Sequence, residues 1–505
     1  MKEELKDIKK SEKKDEVPSG PKRAFRLKWL FGILLVLVII GFGFSHFTGY
    51  LAGRIVSGQV ESTSENRYTI DFEKVRIDWA KSQVDLIGFQ YRKLDTSVVI
   101  ENELEFSALS AQLKLESILG IYFEQALHVE RFVVNSPNVK INQVIKKEKK
   151  QNFSFKTGNL YKAVQGFVTS FEIDDFQVNN LNLEYQQSFE PNGPHYIVND
   201  LSFSIHNFKL DSTAAANNEG FFFTEYVDLT IKNQFIDVGD GMHQVHFDSL
   251  FLSTSTNDIE VFNLKLDTLQ KGANLRLNDH FNTYQMNVPY CGIKGLNFLD
   301  AYQNNILAVD SIVFDDIIIN SVLGSLKKKG SVEKTQADSA VSNGALGLFL
   351  NIFDKYELGK FEINNTQVDV LLESSKDSIK IEGLDFEFSG YVLDSTALKS
   401  EYYYPTFDGL KLKISNPKFG LPNGDKLTAN QLNFSTYDSA LIISDVDLYS
   451  DEINNNNGNS FHIKAIELLG VKPLEMIRDE EINITKLNVL NPDIKIFKST
   501  NPNEK

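Results

Sequence analysis

The sequence predicts a mainly β protein: one N-terminal transmembrane helix followed by an elongated, repeated antiparallel β-sheet groove with short amphipathic helices. Three observations predict this. Apolar and polar residues alternate with period two over much of the chain, a pattern of apolar places recurs five times, and one uncharged apolar run stands near the N-terminus.

Alternation is plain in 196–208 (YIVNDLSFSIHNF), 245–252 (VHFDSLFL), 259–266 (IEVFNLKL), 378–388 (SIKIEGLDFEF), 410–414 (LKLKI) and 441–448 (LIISDVDL). Such segments make strands with one apolar and one polar face. Turn-forming clusters separate them at 237–241, 422–425 and 454–459.

The recurring segments are LHVERFVVNSPNVKI (127–141), FEIDDFQVNNLNLEY (171–185), LAVDSIVFDDIIINS (307–321), YELGKFEINNTQVDV (356–370) and INITKLNVLNPDIKI (482–496). Each has apolar residues at its first, third, sixth, eighth and thirteenth places. The tenth place is Ser136, Asn180, Asp316, Asn365 or Asn491. Places eight and thirteen differ in parity, so a bend or bulge between them has to reset the phase, and Ser, Asn, Asp and Pro are the residues that make one.

A longer period encloses these copies. The string LDSTA recurs at an offset of 183, against 185 between Phe171 and Tyr356. The predicted organisation is a basic tail (1–28), a transmembrane helix (29–50), a partial first β module (66–141), and two full modules (157–320 and 345–497). Polar linkers at 142–156 and 324–344 separate the modules. Leu-bearing stretches at 115–123, 160–168, 346–353 and 473–477 are predicted as short amphipathic helices.

The run Trp29–Phe47 has 19 residues and no formal charge. Lys22, Arg23, Arg26 and Lys28 precede it, and the next basic residue is Arg54. This asymmetry predicts a cytoplasmic N-terminus and a body on the other side of the membrane, with Trp29 and Tyr50 at the interfaces. A cleaved signal peptide is the rival reading. The length of the run and the poor cleavage site at Ser45–Phe47 speak against it.

Beyond residue 28 the chain carries 42 basic and 62 acidic residues, so a nucleic-acid partner is not expected. A single cysteine, Cys291, excludes an intrachain disulfide. His243 and His246 are three apart on a predicted strand, which points their side chains to opposite faces. No phosphate loop, HExxH or G-x-S-x-G occurs. The reading is therefore of a protein that is not an enzyme and carries no catalytic, metal or cofactor residues.

The segments 109–141 (LSAQLKLESILGIYFEQALHVERFVVNSPNVKI) and 463–497 (IKAIELLGVKPLEMIRDEEINITKLNVLNPDIKIF) resemble the AsmA-like family of envelope proteins. The shared features are a strand, a short Leu-rich helix, and a strand with an internal proline. The resemblance implies a bridge-like β-groove that holds or transfers phospholipid or another acyl-chain lipid. It also implies an anchor in the inner membrane, a periplasmic body, a role in envelope lipid homeostasis, and envelope proteins as further partners. This chain is shorter than the members that span the periplasm. On this reading the groove candidates are places six and eight: Phe132 and Val134, Phe176 and Val178, Ile312 and Phe314, Phe361 and Ile363, Leu487 and Val489. Three alternatives stand beside it: a closed, fully packed β core, an assembly factor that binds another protein through its sheet edges, and a carbohydrate-active enzyme on a β-rich scaffold.

Overall fold

The structure is a computed structural model. It describes residues 48–62, 64, 66–94, 102–117, 126–143, 170–187, 195–210, 223–238, 243–269, 283–323, 353–372, 378–394, 407–420, 425–449, 458–472 and 483–497.

After a helix at 48–62 (α1) come β1 (Tyr68–Asp78), β2 (Gln83–Lys93), β3 (Asn102–Leu115), β4 (Ala126–Asn135), β5 (Asn138–Gln143), β6 (Ser170–Gln187) and β7 (His195–Leu210). The middle of the chain gives β8 (Tyr226–Asp237), β9 (His243–Ser253), β10 (Asp258–Thr268), β11 (Thr283–Lys294), a one-turn helix α2 (Phe298–Gln303), β12 (Ile306–Asp315) and β13 (Ile318–Leu323). The rest is β14 (Lys355–Leu372), β15 (Ser378–Asp394), β16 (Gly409–Ser415), β17 (Lys418–Gly420), β18 (Lys426–Thr428), β19 (Gln431–Ser435), β20 (Ala440–Tyr449), β21 (Gly458–Leu469) and β22 (Lys486–Phe497).

All 22 strands belong to one sheet. The pairings run in chain order from β1 at one edge to β22 at the other. Four positions hold two collinear short strands each (β4 with β5, β12 with β13, β16 with β17, β19 with β18), so the 22 strands fill eighteen places. At 4.7–4.9 Å per strand the sheet is about 80 Å wide.

The sheet is mixed, which corrects the all-antiparallel expectation. β4 and β5 run parallel to β6, and β12 and β13 run parallel to β14. The cause lies in the repeat itself. At each of these two junctions, two copies of the same segment lie side by side in the same direction and in register. Leu127 faces Phe171, Phe132 faces Phe176, and Val139 faces Leu183; Ile312 faces Phe361 and Phe314 faces Ile363. Like therefore meets like. Asn179 donates to Asn135 (3.1 Å), Asn182 to Asn138 (3.1 Å), Asn364 to Asp315 (2.9 Å) and Asn365 to Asp316 (2.6 Å).

The phase reset is a backbone event. The tenth-place residue has a positive φ of 48–57° in all five copies: Ser136, Asn180, Asp316, Asn365 and Asn491. Asn and Asp tolerate this left-handed conformation better than other side chains with a Cβ. The β6–β7 ladder shifts register on either side of Leu181, and β14–β15 does so around Thr366. A second reset, which the five-place reading overlooked, falls at place four. There Asp174 drops out of the ladder opposite Asn207 (φ 51°), and Gly359 opposite Gly390 (φ 67°). Together the two resets put places one, three, six, eight and thirteen on one face.

The transmembrane helix of the expected fold is not part of the observed architecture. Among the described residues no helix is long and apolar enough to cross a membrane. The run 29–47, with Trp29, lies outside the described residues. Tyr50 is 61% exposed within α1, with the Arg54 guanidinium 5.7 Å from its ring centroid. α1 continues to residue 62 and lies along the free edge of β1. Gly49, Gly53 and Ser57 repeat every four residues on the side that meets β1. A Cβ on Gly49 would stand 2.3 Å from the Val75 carbonyl oxygen, and Ser57 Oγ donates to the Ile70 carbonyl at 2.5 Å.

Of the predicted amphipathic helices, Leu115 is instead the last residue of β3 and Phe353 is not helical. The remaining positions, apart from 116–117, lie outside the described residues. α2, capped by Asn297, was not anticipated. The linker expected from residue 142 begins later, because β5 runs to Gln143.

If the tenth place demands a left-handed residue, Ser136→Val should destabilise the chain by about 1–3 kcal/mol. Ser136→Gly should be near neutral. Urea denaturation midpoints of the two variants check this.

Candidate functional site

Because each copy keeps its apolar residues on one face, and neighbouring strands pair in register, apolar side chains line up into rows that cross the sheet. One row starts at Val75 and passes through Leu86, Ala111, Val134, Val178, Phe203 and Leu229. It continues through Leu252, Ile259, Ile293, Ile312, Phe361 and Phe388 to Leu410. All fourteen members are apolar, and the row is about 60 Å long at the strand spacing.

A second row runs beside it from Leu181 through Ile231, Cys291, Phe314, Ile363 and Phe434 to Leu487, again with an apolar residue at each of its fourteen places. Rings touch along the rows, Phe132–Phe176 and Phe361–Phe388 each at 5.1 Å, and between them, Phe176–Phe203 and Phe314–Phe361 each at 5.7 Å between centroids.

The ten candidates from the repeat all lie on this face, but in four rows and not in one line. Val134, Val178, Ile312 and Phe361 are in the first row, and Phe314, Ile363 and Leu487 in the second. Phe132 and Phe176 share a shorter row with Leu113 and Ile205. Val489 follows Ile466 near the β22 edge. The repeat missed Phe203, Leu229, Leu252, Ile259, Ile293, Phe388 and Leu410. All but Leu229 and Ile293 sit in the alternating segments noted in the sequence, so alternation carried most of the signal that the repeat lacked.

The face is open. Of the first row only Ala111, Val134 and Val178 are buried, and the large side chains are half-buried. The buried clusters link residues on consecutive strands. Phe89, Ala108, Ala111, Val134 and Val178 pack with neighbours from β1 to β7, and Val288, Cys291 and Ile317 with neighbours from β10 to β14. This is packing within one layer, not between two. Burial pushes the Cys291 thiol up to about 11, as an apolar surrounding requires.

The other face is polar and ion-paired. Beside the first row stand Gln112, Gln177, Ser204, Asp228 and Ser253, with Val133 the one apolar member between Gln112 and Gln177. Lys360 pairs with Glu362 (2.7 Å) and Glu387 (3.2 Å), and Lys411 with Glu387 (3.0 Å). The Lys411 hydrogen bond, with Lys360 beside it, holds the Glu387 carboxyl below its ordinary range. The Glu362 hydrogen bond raises Lys360. Exposed pairs of this kind add little stability each, but they keep one face wet.

No group of His, Cys, Asp and Glu suited to a metal ion occurs among the described residues. His243 accepts from the Tyr284 backbone N–H (3.3 Å), and His246 stacks on Phe235 at 4.3 Å. A cavity of about 720 Å³ lies where β12, β14 and β15 meet, beside Gly295, Asp310 and Gly359.

His128 ties the first parallel junction together on the polar face. Its ring contacts Asp174 and Glu116, each at 2.8 Å. The Asp174 hydrogen bond, then that of Glu116, raises its pKa. A raised folded-state pKa contributes stability below the ordinary imidazole range, and that contribution is lost as pH rises through the raised value. The melting temperature should therefore fall as pH rises above the ordinary imidazole range. His128→Gln should flatten that slope, as thermal melts across the range will show.

No family model and no curated protein matches the chain. The AsmA-like resemblance thus rests on the residues quoted for it alone. Among solved structures the chain is similar to one described as the crystal structure of the sex pheromone staph-cAM373 precursor, at 9% identity and a TM-score of 0.12, over 72% of this chain and 93% of that one. A score that low carries no argument about fold or role.

Proposed function

We propose that this chain is a non-enzymatic envelope protein that holds or transfers phospholipid, or another acyl-chain lipid, on the apolar face of its sheet. The observation that carries the reading is the pair of fourteen-place apolar rows with half-exposed side chains. Monomeric soluble proteins rarely leave a contiguous apolar surface of that extent without a ligand or partner for it. An acyl chain laid along the rows regains roughly 0.8 kcal/mol per methylene buried, which offsets its removal from a bilayer. The polar face, with its ion pairs, would keep the loaded protein soluble. The AsmA-like resemblance points the same way. The compartment proposed is the periplasmic side of the inner membrane, on the strength of the basic cluster at 22–28 and the uncharged run that follows it in the sequence.

Photocrosslinking the full chain in cells with a diazirine-bearing phospholipid tests the reading. Adducts should map to Phe203, Leu229, Phe361 and Leu410, and not to the Lys360–Glu387–Lys411 face. Ile363→Asp and Leu229→Asp should cut the adducts severalfold while the chain stays folded. In a closed core an unpaired carboxylate costs several kcal/mol and would unfold the sheet, so melting curves on the same variants separate the two readings. Adducts spread evenly over both faces would sink the proposal.

A reporter fused after Lys505 should be active only in the periplasm. Cytoplasmic activity would refute the compartment.

A further inference from the structure

We propose that β22 is a docking edge for an acidic, extended segment of another polypeptide, which adds to the sheet as a parallel strand. The inference does not depend on the lipid reading, because it rests on the junctions inside the sheet.

At both internal junctions a copy that closes one antiparallel run is followed by a parallel copy that opens the next. The main-chain bonds are the same in each. The tenth-place N–H donates across (Ser136 to the Asn179 carbonyl, 2.8 Å; Asp316 to the Asn364 carbonyl, 3.0 Å). The eleventh-place carbonyl accepts (Pro137 from Asn182 N–H, 2.9 Å; Ile317 from Gln367 N–H, 2.7 Å). At the first junction the charges match as well: Arg131 at place five meets Asp175 (3.3 Å), and Lys140 at place fourteen meets Glu184 (3.1 Å).

The fifth copy, β22, repeats the first in these features. Pro492 stands for Pro137, Lys486 for Arg131, Lys495 for Lys140, and Asn491 shares the φ of Ser136, 48°. Yet among the described residues β22 pairs only with β21. Leu487 and Val489 are 56% and 47% exposed, whereas Val134, at the place of Val489 in a copy that has its parallel neighbour, is 5% exposed. A neighbour beyond β22 is thus specified as parallel, apolar at places six and eight, and acidic at places five and fourteen. Lys495, at place fourteen, pairs with Asp493 of its own strand at 3.3 Å.

A second copy of this chain fits poorly. Its other edge, β1, is covered by α1, whose Ser57 holds the Ile70 carbonyl. A two-fold pairing of β22 with itself would be antiparallel, whereas both internal junctions join their copies in parallel.

The probe is a labelled synthetic peptide with the sequence of residues 170–187, the strand that fills this place at the first junction. Fluorescence anisotropy with the full-length chain should show saturable binding. A peptide carrying Asp175→Lys and Glu184→Lys should bind about tenfold or more weakly, the sign expected when two ion pairs become repulsions. The chain variant Lys486→Glu/Lys495→Glu, altered only at exposed positions, should reverse that preference. A cysteine at place eight of the peptide should crosslink to Val489→Cys, as parallel register requires. Absence of saturable binding, equal binding of both peptides, a crosslink pattern of antiparallel register, or self-association of the chain through β22 would each overturn the proposal.

Discussion

The constraint on which this sheet depends is that a left-handed residue inside a strand reverses the parity of everything beyond it. Long strands that bend at such residues keep one face apolar only if the sequence changes phase at the same point. Neighbouring strands must bend at the same level, or the ladder breaks. Both conditions are met at the tenth place, by Ser136 beside Asn180 and by Asp316 beside Asn365. The Asn and Asp residues around the bend do two things. They tolerate the backbone conformation, and they bond to their counterparts on the next strand.

That constraint produces the two unlike faces. Apolar side chains from as many as fourteen places align because each strand is reset at the same level as its neighbours. The side chains between them, on the opposite face, are free to form the lysine–carboxylate pairs around Lys360, Glu387 and Lys411. Stability then comes from lateral packing of each strand on the next, as in the aromatic contacts between Phe132, Phe176 and Phe203. Among the described residues no second sheet covers the apolar side, and α1 meets it at Phe72 and Val75 beside the β1 edge.

A sheet built this way has two edges, and the chain treats them differently. At β1 the small residues Gly49, Gly53 and Ser57 let a helix approach closely enough to occupy the outward carbonyls. At β22 the last copy of the repeat carries the features of a strand that elsewhere has a parallel neighbour. Both parallel junctions inside the sheet join a closing copy to an opening copy, and β22, the last described strand, is a closing one.

The sequence by itself determined the strand character, the five copies and their apolar places, and the need for a bend near Ser136, Asn180, Asp316, Asn365 and Asn491. These are local properties of side-chain period and backbone preference. Its prediction of a transmembrane helix as part of the fold is not met among the described residues, where α1 lies against a strand edge. Tertiary structure alone decided that copies pair in parallel, because direction depends on how the chain returns between them and leaves no trace in strand periodicity. It alone decided which apolar residues share a row, since Phe132 and Phe176 fall in one row and Phe314 and Leu487 in another only once the register of each intervening strand is set. And it alone showed that, among the described residues, the apolar face meets no second sheet, because an alternating strand reads the same whether its apolar side meets a second sheet or none.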